Sequence, residues 1–400
     1  MRTIELLQNP IQKYSWGSHS AIPELLGKTP TGEPQAELWM GAHVKSPSFI
    51  DFHGRRRSLI ELIEEFPGEI LGKATAKKYS NQLPFLFKVL AAAKPLSIQV
   101  HPNRAQAKEG FEREDQLGIP LDAENRNYRD RNHKPEVICA LAPFWALCGF
   151  RPTEEIMQTL NKLILPSLEP EVTVLKEHPD HAGLRNFFSA LMRKSTVGKR
   201  QIVREVLDRA KEDAEHQLEF SWMSRIQSHF PDDIGVLSPI LLNLVQLSPG
   251  EAMYLPAGEL HAYLEGVGIE LMANSDNVLR GGLTPKHIDV SEFLKVSNFR
   301  PRAVEILSPI QLTAGERRYD TPLEEFGLAG IAVKVSSPFT SARDRSVEIL
   351  ICTEGTASIG TPSSQGLVHL DRGSSVLVPA AVDQYRIEGE ATLYRASVPI

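Results

Sequence analysis

Two short stretches of this 400-residue chain place a histidine among alternating polar and apolar residues. In Leu96-Ser97-Ile98-Gln99-Val100-His101, the period of two that a strand imposes puts Ser97, Gln99 and His101 on one face. The second stretch runs Gly250, five residues, Pro256-Ala257-Gly258, two residues, His261. There Glu259, His261, Tyr263 and Glu265 alternate with Leu260, Ala262 and Leu264. Pro and Gly make a tight turn that returns the chain as an antiparallel strand. An imidazole on a face shared with carboxylates, an amide and hydroxyls can ligate a metal or move a proton. An amphipathic strand with a solvated face would account for either stretch alone, and a lone histidine is more often satisfied in the core than a ligand. Lys88 adds a third feature, since it sits inside the apolar run Leu83-Pro84-Phe85-Leu86-Phe87-Lys88-Val89-Leu90. Burying that ammonium without a partner is costly, so an anion is expected beside it.

These residues need elements to position them. From about 80 to 150, runs of Val, Ile, Leu and Phe broken by Pro, Asn and Gly read as strands joined by loops. From 152 to 235 the texture changes: 154–165, 181–193 and 199–214 are rich in Leu, Arg, Glu, Lys and Ala, with apolar residues recurring at three and four, which predicts helices. Strand texture returns at 237–245 and 252–255, so the helical block is inserted into, or appended to, a β domain. Beyond 300 the chain reads as β again, most clearly at 347–352 and 375–378. The expected partition is 1–151 with 236–300 as one β domain, 152–235 as a helical domain and 301–400 as a C-terminal β domain, a mainly β fold with an α-helical domain.

The spacing from Gly250 to His261 resembles the second motif of the cupin superfamily, with Glu265 where many cupins have Asn. Tyr128-Arg129-Asp130-Arg131-Asn132-His133-Lys134-Pro135-Glu136 resembles the first signature of type I mannose-6-phosphate isomerases, and 261–286 resembles that family's long second signature. Tyr14-Ser15-Trp16-Gly17 and Glu37-Leu38-Trp39-Met40-Gly41 extend the resemblance over the first 300 residues. Gly281 departs from the family's usual Ala. The resemblance implies a cupin (jelly-roll) barrel with an inserted helical domain. It implies one Zn2+ held by Gln99, His101, Glu136 and His261, a mixed N/O set that suits zinc and leaves a position open. Two imidazoles and one carboxylate also describe iron sites. The implied activity is interconversion of mannose 6-phosphate and fructose 6-phosphate through an enediolate, with Arg280 as the catalytic arginine. His133, Lys134 and Asp276 are candidates for the proton carrier, Lys134 preferred. Ser97, Lys88 and Lys286 are the implied phosphate donors, and Trp16 and Tyr263 wall the pocket. In the C-terminal part, Gly373 and Pro379 repeat the turn spacing, with Ala381 and Gln384 at the places of Gly258 and His261. This reads as a cupin-like domain without a metal.

Composition limits the alternatives. Hydrophobic residues make up 42% and charged residues 24%, a globular profile. A formal charge of -6 gives no basic field for nucleic acid. No apolar stretch approaches the length of a membrane span. Three cysteines lack the even count of a disulfide framework, which suits a cytoplasmic protein. A small-molecule sugar phosphate is the expected partner and a monomer the expected state, with an oligomer left open. Two rival functions remain: a cupin that binds a sugar phosphate without turnover, and an iron-dependent cupin dioxygenase.

Overall fold

The structure, a computed structural model, describes residues 1–211, 217–362 and 366–400. Among these residues, eleven strands form one sheet and nine another, with a small hairpin beside them. In the first sheet, Phe85–Ala92 and Glu136–Ala140 are buried throughout and flank the second half of the thirteen-residue strand His261–Ala273. The first half of that strand pairs instead with Phe144–Phe150 and with Gln99 of Ile98–Val100. One strand thereby belongs to both walls, and the sheet curls around it. Gly266 sits at the change of partners with φ of 137°, and a Cβ there would lie 2.7 Å from the Phe144 Cα. Only glycine allows that approach.

Residues 153–241 supply the helices Thr153–Leu163, Glu169–Glu177, His181–Arg193, Thr196–Ala210 and Leu218–His229. The third is representative. Asp180 caps it through the Ala182 and Gly183 amides, and it buries Leu184, Phe187, Phe188, Leu191 and Met192 on one stripe. The tail of the expected helix 199–214 lies partly outside the described residues. These helices pack on Ile98, Val100, Leu147, Leu260, Ala262 and Leu264, the outward residues of the barrel strands. The same alternation turns Gln99, His261 and Tyr263 inward.

Two expectations about elements are corrected. The apolar run at 237–241 is not strand: a 3-10 turn at Ile234–Leu237 leads into the short helix Ser238–Leu241, and the strand begins at Leu242. A fully buried apolar run carries no period that separates the two forms. Glu265 does not share the face of His261 and Tyr263. A bulge between Tyr263 and Glu265 shifts the register, and Glu265 pairs with Arg225 of the helical block.

The C-terminal sheet centres on Glu348–Gly360 between Ser375–Val378 and Arg386–Ser397. It exchanges strands with the rest of the chain: Glu5–Leu6 pairs with Leu377 and Val376 at its edge, while Ile306–Leu307 pairs with Ala252–Leu255 of the first sheet. Met1 and Leu7 share a core with Leu38, Phe87, Ile349, Leu377 and Tyr394, so apolar packing runs unbroken between the sheets. Among the described residues, no helix is long and apolar enough to cross a membrane.

Candidate active site

Inside the first barrel, His101, Glu136 and His261 are all buried and bring their ligand atoms within 4.8 Å of one another. His101 follows Ile98–Val100, Glu136 begins Glu136–Ala140 and His261 begins the shared strand. The Gly258 turn fixes the spacing: its φ is 82°, and its N–H donates to the His101 carbonyl at 2.8 Å. Each ring is oriented from behind. His101 Nδ1 lies 2.9 Å from the Asn277 carbonyl and His261 Nδ1 3.0 Å from the Glu259 carbonyl. A carbonyl only accepts, so both Nδ1 atoms carry the proton and both Nε2 atoms present lone pairs.

Those lone pairs face a carboxylate. His101 Nε2 is 3.2 Å from Glu136 Oε1, and His261 Nε2 is 3.5 Å from Glu136 Oε2. Burial pushes the His101 imidazole down to about 4 and lowers His261 in the same direction, so both rings are neutral at neutral pH. Burial alone would raise the Glu136 carboxyl; the Lys134 ammonium beside it holds it well below its ordinary value. Three converging acceptors with no hydrogen between them repel one another, and His101 Nε2 is a buried atom without a hydrogen-bond partner. Two imidazoles and a carboxylate so arranged fit a divalent cation. This set of side chains therefore suits the zinc that the resemblance implied.

Sheet register adds two more residues. Gln99 stands opposite His261 on one side and opposite Arg280 on the other. Directly opposed residues of antiparallel strands project to the same face, so His261, Gln99 and Arg280 form a row. Gln99 also donates to Ser97 Oγ at 3.3 Å. Tyr263 is buried next to this row and donates to Glu136 Oε2 at 3.3 Å. Trp16 is half-buried against Tyr14 and the cluster containing Leu90 and Tyr263.

The three proton-carrier candidates have different surroundings. Lys134 is buried and donates to Glu136 Oε1 at 2.6 Å. His133 turns away from the ligand cluster, with Nε2 2.8 Å from Glu325 Oε1, and Arg104 joins the same carboxylate. Asp276 pairs with Lys45 at 2.8 Å and His43 at 3.4 Å. Burial would raise its carboxyl, yet His43 and Lys45 hold it far below the ordinary carboxylate range, which makes it a poor base.

Lys88, one of the implied phosphate donors, has carboxylate partners within the chain. Its ammonium lies 2.7 Å from Glu270 and 3.6 Å from Glu37, with the Trp39 ring 5.5 Å away. Burial opposes its charge, but Glu270, Glu37 and Glu136 together hold it well above the usual lysine value. The anion expected beside Lys88 is thus supplied by this chain, and a phosphate dianion there would meet carboxylates. Lys286, by contrast, is exposed.

Sequence reasoning missed Asn277, which is fully buried. Its carbonyl holds His101, its Oδ1 accepts from the amides of Arg129 and Asp130, and its Nδ2 donates to the carbonyls of Asp130 and Asn132. It joins the segment leading to Glu136 to the segment carrying Arg280. Asn277 lies inside the second signature, but nothing in its local pattern distinguishes it from a surface polar residue.

A cupin barrel with an inward cluster of two histidines and a carboxylate defines the class, a metal-binding cupin. Residues 4–153 match the catalytic domain of phosphomannose isomerase type I, and residues 166–242 match the helical insertion domain of the same family. Mannose-6-phosphate isomerase of Escherichia coli K12 is 39% identical over 395 residues, covering 98% of this chain and 99% of that one. Mannose-6-phosphate isomerase 2 of Arabidopsis thaliana is 34% identical, covering 99% and 93%. The solved structure of the Salmonella typhimurium mannose 6-phosphate isomerase bound to substrate and zinc superposes with a TM-score of 0.91 at 37% identity over 100% of both chains. The chain belongs to the type I phosphomannose isomerases.

Proposed function

We propose that this chain interconverts mannose 6-phosphate and fructose 6-phosphate with a bound zinc ion. The observation that carries the reading is the pair of histidines whose Nδ1 atoms are locked by carbonyls, so that both Nε2 atoms converge on Glu136 beside the Gln99–Arg280 row. Gln99, His101, Glu136 and His261 would hold the metal, which supplies a Lewis acid for negative charge developing on the sugar oxygens. Arg280 offers a planar, permanently charged fork to the same oxygens. We assign to Lys134, as its neutral amine, the proton that leaves C2 and returns at C1: a divalent cation on Glu136 and the nearby guanidinium of Arg280 would disfavour the ammonium, and among the three candidates it is the one buried against a ligand. Ser97 and Lys286 are assigned to the phosphate, and Tyr263 and Trp16 to the pocket wall.

The chemistry is assigned to 1–151 with 236–300, the helical segment 152–235 covering the barrel's outer face and 301–400 acting as a cupin-like domain without a metal. Three buried free cysteines support a cytoplasmic location, and a monomer is the expected state. The test is the metal content of the purified protein together with a coupled assay on mannose 6-phosphate before and after chelation. Turnover should disappear with the metal and return with added zinc. Full turnover by the demetallated protein would sink the proposal.

A further inference from the structure

The strand that carries Arg280 has little of its own to hold it. Among the described residues, Leu279–Gly282 pairs on one side only, with Ile98–Val100, and a bulge between Arg280 and Gly282 interrupts that ladder. The strand ends in two glycines, Gly282 at φ of 152°, and Leu283 beyond them is left-handed at φ of 54°. Behind Gly281 lies an apolar cavity of about 20 Å3, bordered also by Ile98, Leu191, Gly235, Ser238 and Leu260, so packing does not clamp the backbone on that side. None of the described residues makes a hydrogen bond or ion pair with the Arg280 guanidinium, and its aim is set by the main chain beneath it. On the N-terminal side, Asn277 ties that main chain to the 129–132 segment. On the C-terminal side the tie comes from Asp233, half-buried a few residues after the helix Leu218–His229. Its Oδ2 accepts from the Leu283 N–H at 3.0 Å and its Oδ1 from the Gly235 N–H at 2.7 Å. The approach is close, since a Cβ on Gly282 would lie 3.1 Å from Asp233 Oδ1.

We propose that Asp233 is a positioning residue for Arg280: from the end of the helical block it fixes the backbone three residues beyond the arginine and so holds the guanidinium toward the reacting oxygens of the substrate. The proposal rests on the isomerase reading above, and it gives the helical block a part in the chemistry besides covering the barrel. A carboxylate that accepts a main-chain N–H makes a charge-assisted bond, short and directional, which two glycines and a left-handed leucine do not supply by themselves. The two oxygens of Asp233 serve two amides, one in the turn at Ile234–Leu237 and one just past the strand, so turn and strand are held at a fixed separation. A catalytic group displaced by about an ångström loses much of its effect, and charge stabilisation requires the fork to be in place before the charge develops.

The test compares zinc-loaded wild type, Asp233→Ala, Asp233→Asn, Arg280→Lys and the double variant that joins Asp233→Ala to Arg280→Lys. Hydrogen exchange over 279–286, followed by mass spectrometry, reads the tie without turnover: in Asp233→Ala the Leu283 amide should exchange about tenfold faster or more. In assays on mannose 6-phosphate, Asp233→Ala should lower kcat about tenfold while KM and zinc content change less than about threefold. Asp233→Asn keeps one acceptor oxygen, and its kcat should fall between those of wild type and Asp233→Ala. In the Arg280→Lys background, Asp233→Ala should cost about threefold or less in kcat, because the residue it acts through is already impaired. A lower melting temperature with kcat unchanged would overturn the proposal, Asp233 then serving only the turn. Equal losses of kcat in the two backgrounds would overturn it too, by showing an effect that bypasses Arg280. Should Asp233→Ala not fold, Asp233→Asn takes its place in each comparison and the same outcomes decide. A wild type without isomerase activity would refute the functional reading, whereas unchanged exchange at Leu283 in the Asp233 variants would refute the tie itself.

Discussion

Gln99 faces Arg280 across two short antiparallel strands, and on its other side faces His261. A residue assigned to the metal therefore stands between a second residue so assigned and the arginine assigned to catalysis, all fixed by main-chain hydrogen bonds. Positioning of this kind resists small disturbances, so changes of side chain should act on chemistry more than on fold. Arg280→Lys should keep its zinc and its thermal midpoint but lose at least tenfold in kcat, about 1.4 kcal/mol of barrier, because an ammonium cannot reproduce the planar fork. A smaller loss, measured with metal content in the same preparation, would make Arg280 a structural residue.

Lys88 separates two readings of one lysine. As a phosphate ligand its replacement would weaken substrate binding and leave stability alone. In the structure it neutralises Glu270 and Glu37 inside the barrel. Lys88→Met should destabilise the fold by about 3–5 kcal/mol by leaving buried carboxylates uncompensated. Chemical denaturation would read this, and a variant as stable as wild type would restore Lys88 to the phosphate ligands.

Asn277→Ala removes the group that satisfies two amides and two carbonyls of the 129–132 segment. Each buried group left without a partner costs about 1–3 kcal/mol. We expect a clear fall in the melting temperature together with weaker zinc retention, since the His101 carbonyl partner belongs to the same residue. A variant that melts like wild type and keeps its zinc on dialysis would show that the segment holds itself.

A Cβ built on Gly281, next to Arg280, would lie 2.2 Å from the Phe293 ring. Gly281→Ala alone should cost about 1–3 kcal/mol by overpacking. Adding Phe293→Leu should recover part of that loss, and strictly additive effects of the two substitutions would contradict the contact.

The Glu325 carboxyl supplies a pH signature. Burial would raise it, but His133 and Arg104 hold it at about 2, below its unfolded value near 4.5. A depressed carboxyl contributes stability that is full above about pH 4.5 and is lost as pH falls toward about 2. The stability difference between wild type and Glu325→Gln should therefore be greatest near neutrality and shrink across that interval. Denaturant titrations at several pH values would check it, and a difference that grows on acidification would contradict the pairing.

How much of this was legible in the chain follows from how local each signal is. Alternation of polar and apolar residues put Gln99 on one face with Ser97 and His101, and His261 on one face with Tyr263, because a period of two needs no knowledge of partners; only the resemblance implied that such a face turns into a barrel. Helical periodicity did the same for His181–Arg193. What failed was relational. The carboxylate that Lys88 meets, Glu270, lies 182 residues further along and is invisible from Phe85–Ala92 alone, so the need for an anion was readable and its identity was not. The bulge that turns Glu265 toward Arg225 is set by the neighbouring strand. Asn277 matters through its bonds to His101 and to the 129–132 segment, and a buried amide looks like any other amide in a one-dimensional reading.

The pairing of Glu5–Leu6 with the strand Ser375–Val378 has a consequence for synthesis of the chain. Nearly the whole polypeptide separates the two partners, and that closure is among the slowest kinds of contact to form. The first strand leaves the ribosome early and must wait, its edge unpaired and Met1 and Leu7 without their core, until the final β segment emerges. The barrel that holds the zinc ligands can assemble meanwhile, since its strands lie between those ends. A nascent chain stalled before residue 375 should thus carry a formed metal pocket beside an unclaimed strand, the state most exposed to chaperone capture and to cross-pairing with another chain.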